Sequence, residues 1–75
     1  MILEWDIHMA VEFPDDDMNR IVAGAISERW TTDQIRREID EVVMGFDDVD
    51  YFAWSDNQTT EVLKEIENRV REVLK

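Results

Sequence analysis

The sequence predicts a small α+β domain in the order β-α-α-β-α, a two-stranded sheet packed on three helices. Three observations predict it. Apolar and polar residues alternate strictly from Leu3 to Phe13, apolar residues recur at helical spacing in three later stretches, and a short run of β-formers separates the last two of these. At 75 residues this is one domain, 1–75, near the lower end of lengths that fold alone.

The alternating segment comes first. Leu3, Trp5, Ile7, Met9, Val11 and Phe13 interleave with Glu4, Asp6, His8, Ala10 and Glu12, the pattern of a strand with one buried and one wet face. A helix would scatter those apolar residues around its circumference. Trp5 belongs to the core by its phase and His8 to the wet face. Pro14 ends the strand, since it has no N–H to donate and fixes its own φ.

Asp15, Asp16 and Asp17 suit a helix start, where a side-chain oxygen caps free N–H groups and negative charge meets the positive end of the dipole. Met18, Ile21, Val22, Ala25 and Ile26 form the stripe of this first helix, which runs as far as Trp30. Gly24 within it marks close packing. Thr31 and Gln34 have capping-box spacing and start a second helix with the stripe Ile35, Ile39, Val42 and Val43, stopped at Gly45. Val49-Asp50-Tyr51-Phe52-Ala53-Trp54 reads as the second strand, bulky on both faces, and Ser55-Asp56-Asn57-Gln58 as a turn. Thr59 or Thr60 caps the last helix, with the stripe Val62, Leu63, Ile66, Val70, Val73 and Leu74. Glu65 with Arg69 and Glu67 with Arg71 are i,i+4 pairs in the favourable orientation. The first strand is longer than the second, so part of its edge lacks a partner in the chain and invites a second copy or another protein.

Charge limits the choice of partner. Nineteen acids against eight bases give a net charge of −11, so nucleic acid and anionic membrane surfaces are repelled while cationic proteins are attracted. The excess lies in two blocks. Residues 1–17 and 38–56 contain acids and no base, residues 18–37 are slightly basic, and residues 57–75 are balanced. A general solubility coat would acidify every exposed face.

The holdings for chemistry are thin. No cysteine is present, which removes disulfides and thiolate metal sites and suits a reducing cytoplasm. The first residues lack the basic stretch of a secretory leader, and no apolar run approaches the ~18 residues of a membrane span, so a soluble cytoplasmic protein is expected. Three consecutive aspartates cannot converge on one hard cation, and Asp48 and Asp50, although they share a strand face, lack the glycine and spacing of a calcium loop. His8 has neither a nucleophile nor a second histidine beside it. Ser27 and Ser55 sit in no nucleophile elbow, and Gly24 and Gly45 form no phosphate loop. Neither an enzyme nor any cofactor or metal is expected.

The function that follows is an interaction module, its partner-binding residues Glu4, Asp6, Glu12, Asp15, Asp16, Asp17, Asp47, Asp48, Asp50 and Asp56. Carboxylates along a strand and at neighbouring turns imitate a row of phosphates, and the partner would be a basic, nucleic-acid-binding protein. Small acidic anti-restriction and anti-CRISPR inhibitors of phages and mobile elements work by such mimicry; the likeness is one of type, with no shared motif. The alternative is a homodimer or scaffold subunit, joined through the first strand, whose acidity serves solubility or salt adaptation. Core packing is the first reading of Phe52 and Trp54; an aromatic set of the second strand left exposed among these acids would form a hot spot for a basic, partly apolar surface.

Overall fold

The computed structural model describes residues 1–6, 9–47, 51 and 54–74, with residues 4–6 and 9 described in their backbone only. The α+β class, the two-stranded sheet and the three helices are those the sequence predicts. The place of the second strand differs. The alternating segment is not one long strand but two, β1 (Ile2–Asp6) and β2 (Met9–Glu12), paired antiparallel with Leu3 opposite Val11 and Glu4 opposite Ala10. Both strands therefore precede the first helix.

From Ile2 to Glu4 period two survives the fold-back because partners sum to an even number, 14. Over that stretch odd residues face odd residues and one face is apolar: Leu3, Val11 and Phe13 are buried, whereas Ile2, Ala10 and Glu12 are exposed. Between Glu4 and Asp6 the register slips, with Trp5 as the extra residue of a β-bulge on β1. The N-terminal ammonium donates to the Phe13 carbonyl at 3.0 Å, and the Phe13 N–H donates to the Met1 carbonyl at 2.8 Å, closing the open end of the ribbon. A hairpin is usually announced by Asn-Gly or Asp-Gly, and nothing between Asp6 and Met9 has that composition. The unpaired length expected on a long first strand is absent, because that stretch pairs with itself. Trp5, expected in the core, is described in backbone alone, and the expected position of His8 lies outside the described residues.

Helix α1 (Asp15–Ser27) starts with Pro14 as its N-cap, and no side chain caps it by a hydrogen bond. The three aspartates occupy the first turn instead, where they act through the dipole rather than as caps. Arg29, at φ 53°, supplies the left-handed residue that turns the chain toward α2 (Thr32–Met44). Thr31 Oγ1 accepts from the Gln34 N–H at 3.3 Å, which is half of the expected box. The Gln34 side chain turns away to donate to Glu38 at 3.1 Å. Gly45 ends α2 as expected but at φ −88°, so the stop does not use the left-handed conformation glycine permits.

Most of the predicted second strand lies outside the described residues. Its described members contradict a strand: Tyr51 is helical, its N–H donating to the Asp47 carbonyl four residues back at 2.9 Å, and the Trp54 N–H donates to the Tyr51 carbonyl three residues back at 3.1 Å. The last helix, α3 (Asp56–Val73), begins earlier than the threonines suggested and absorbs the expected turn. Ser55 and Gln58 form its capping box, the Ser55 N–H donating to Gln58 Oε1 at 2.9 Å. Thr59 is buried one turn in, its hydroxyl oxygen accepting from the Trp54 indole N–H at 2.8 Å.

The helices run up, down and up. Val43 and Met44 share a cleft with Thr59 at one end, while Ala25 and Ile35 share another with Val70 and Leu74 at the far end. One core cluster joins Leu3 and Phe13 to Met18, Ile21 and Ala25 of α1, Ile35, Ile39 and Val43 of α2, and Val62, Leu63 and Ile66 of α3. Burying each of the larger side chains stabilises by about 1.5–3 kcal/mol. The predicted stripe of α3 extends past this core: Val73 and Leu74 are 64% and 66% exposed. Gly24 is the close approach expected of it, since a Cβ there would lie 2.4 Å from the Trp30 indole. Among the described residues, no helix is long and apolar enough to cross a membrane.

Candidate binding face

Three aromatic rings organise the end of the molecule where α1 starts, α2 stops and α3 starts. Phe13, Phe46 and Trp54 stand in mutual contact, with centroids 6.4 Å apart for Phe13–Phe46, 6.1 Å for Phe13–Trp54 and 5.6 Å for Phe46–Trp54. Two of these contacts are edge-on, the arrangement that matches the positive rim of one ring to the negative face of the next. Each ring sits just upstream of acids in the chain. Phe13 precedes Pro14 and Asp15, Phe46 precedes Asp47, and Trp54 is followed by Ser55 and Asp56. The staple thus draws parts of both acidic blocks, far apart in sequence, to one end.

At that end Glu12, Asp15 and Asp16 are exposed and border a common surface depression. Asp47 and Asp56 are exposed as well. Glu4 and Asp6 belong to β1, which runs away from this end at ~3.3 Å per residue, so their backbones lie out along the hairpin arm. Asp48 and Asp50 fall outside the described residues.

Two of these carboxylates are already engaged. Asp15 accepts from the N-terminal ammonium at 2.9 Å, and this hydrogen bond, then the ammonium charge, holds its carboxyl below the usual carboxylate range. Asp17 lies 3.7 Å from Arg20, which also reaches Glu38 at 3.4 Å. Glu12, Asp16 and Asp56 make no ion pair among the described residues.

A groove on the same end adds residues that sequence reasoning passed over. Met44, Tyr51 and Trp54 line it together with Asp40 and Asp56, in a cleft of about 440 Å³. Met44 is 73% exposed and Tyr51 48%. Asp40 stands one turn before Met44, off the apolar stripe of α2, and the i,i+4 pairing of an acid with a stray methionine is the one signal that could have found it. Among the described residues, no group of three acids or histidines is placed to hold a metal ion. No family model, curated protein or solved structure matches the chain.

Proposed function

We propose that this protein is an acidic interaction module that occupies a basic, nucleic-acid-binding surface of another protein and blocks it by imitating phosphate. The observation that supports this reading is the aromatic staple of Phe13, Phe46 and Trp54, which gathers carboxylates from both acidic blocks at one end. An acidic surface on a rigid support keeps its charges in register, steers a cationic partner in and repels nucleic acid itself. Residues 18–37 and 57–75, outside the two acidic blocks, are close to neutral, so the negative field is uneven over the molecule.

The test is affinity capture from host extract with the immobilised protein, followed by competition with duplex DNA. A basic nucleic-acid enzyme is expected to bind at low salt and to be released by DNA or by about 0.5 M salt, where screening lengths fall to a few Å. Glu12→Gln, Asp16→Asn, Asp47→Asn and Asp56→Asn combined should abolish capture. Capture that ignores salt, DNA and these substitutions would refute mimicry.

Self-association is a second reading, favoured by the apolar far end. Val73 and Leu74 are exposed there, Leu74 sharing a cleft with Trp30, in the part of the chain whose charges balance. Two copies meet with least repulsion at that end rather than at the acidic one. Sedimentation equilibrium should then show a dimer that Leu74→Glu converts to monomer; a monomer at all concentrations removes this reading.

A further inference from the structure

We propose that the groove between α2 and the start of α3 seats an arginine side chain of the basic partner. This rests on the reading above and narrows it to one recognition element. The groove joins two features that seldom coincide on a strongly charged surface. Its walls carry the soft apolar surfaces of Met44, Tyr51 and Trp54 beside Val43, Ser55 and Thr59, with Met44 more exposed than any core-facing residue of α2. Its margin carries Asp40 from α2 and Asp56 from the first turn of α3, and among the described residues no base lines it. Neither aspartate makes an ion pair among the described residues.

That combination is selective among cations. A guanidinium is planar and weakly hydrated, lies flat against rings and thioether, and points its edge N–H groups at carboxylates. An ammonium is a strongly hydrated point charge that loses more on entering an apolar cleft and cannot present a flat face. A volume of about 440 Å³ is at the small end of ligand clefts and suits one long side chain rather than a folded element. The Trp54 wall is fixed by its hydrogen bond to Thr59 and its packing on Phe13 and Phe46, so this face of the groove is in place before the ligand arrives.

The experiment is an NMR titration of the full chain with end-capped Gly-Arg-Gly and end-capped Gly-Lys-Gly peptides. The arginine peptide should shift the Met44 methyl, Tyr51 and Trp54 indole signals saturably, and the lysine peptide should bind about fivefold more weakly. Asp40→Asn and Asp56→Asn should each weaken the arginine peptide about fivefold, the loss of one charge-assisted hydrogen bond at a partly exposed rim, while Asp33→Asn at the far end of α2 leaves it unchanged. Equal binding of both peptides, or shifts as large at Glu12 and Asp16 as in the groove, would overturn the proposal. Unchanged near-ultraviolet circular dichroism verifies that the variants fold. The wider reading fails separately: capture of a basic protein that survives Asp40→Asn with Asp56→Asn defeats the groove alone. Peptide binding without any salt-sensitive capture defeats the wider reading alone.

Discussion

At the scale of single residues, the two glycines have opposite requirements. A methyl at Gly24 would meet three atoms of the Trp30 ring at 2.4–2.9 Å, and a rigid indole cannot yield as a flexible chain end would. A methyl at Gly45 would meet only the Val42 carbonyl oxygen at 3.4 Å, an ordinary contact. Gly24→Ala should therefore destabilise by about 1–3 kcal/mol despite the better helix propensity of alanine, and Gly45→Ala should be neutral within ~0.5 kcal/mol. Urea melts of the two variants check this, with Trp fluorescence reporting displacement of Trp30. Asp15 carries the clearest pH dependence. Its carboxyl is held below the ordinary value of 3.8 by the N-terminal ammonium, so the unfolded chain binds this proton more tightly than the folded one. The contribution is fully present above the ordinary value and is lost as the pH falls through the lowered one. The stability gap between the wild type and Asp15→Asn should be constant from pH 7 to about 5, shrink below about 4, and close at lower pH, as measured by thermal melts.

At the scale of elements, the hairpin makes the sharpest prediction. Met1 and Phe13 exchange both backbone hydrogen bonds, so by alternation Leu3 and Val11 point theirs inward while Ile2, Glu4, Ala10 and Glu12 point outward. Amide exchange should be slow at Leu3 and Val11 and fast at Ile2 and Ala10. Uniform protection along residues 2–6 would instead require a strand added on the outer edge. The hairpin was half legible in the sequence. Its alternation was plain, because burial on one face imposes period two whatever the partner. Its fold-back was not, because the connection is marked by neither glycine nor asparagine. The start of α3 was misplaced for a related reason. Thr59 has the composition of a cap, but a hydroxyl also satisfies a buried indole N–H, and that tertiary partner claims it.

For the whole molecule, the staple of Phe13, Phe46 and Trp54 couples stability to the acidic end. Phe13 is fully buried between β2, α2 and the start of α3. Phe13→Ala should cost about 3–5 kcal/mol, a large part of what a domain this size possesses. Phe46→Leu keeps most of the volume and should cost under about 1.5 kcal/mol, while weakening capture of a basic partner if the staple sets the spacing of the acids. The two effects separate when stability is read from denaturant melts and binding from affinity at equal folded fraction.

The sequence by itself determined the class of the fold, the three amphipathic helices, the burial of Leu3, Val11 and Phe13 on one face of the first segment and the confinement of charge to two blocks. These are local properties: periodicity and composition act within a few residues of where they are read. Tertiary structure alone decided that the first segment pairs with itself, that Thr59 binds Trp54 rather than capping a helix, and that Asp40 shares a groove with Asp56. It also decided which acids stand together. Asp15 and Asp56 are far apart along the chain, and the up-down-up packing of the helices with the three aromatic rings brings their segments to one end, because close packing of bulky side chains fixes distances that no local pattern encodes.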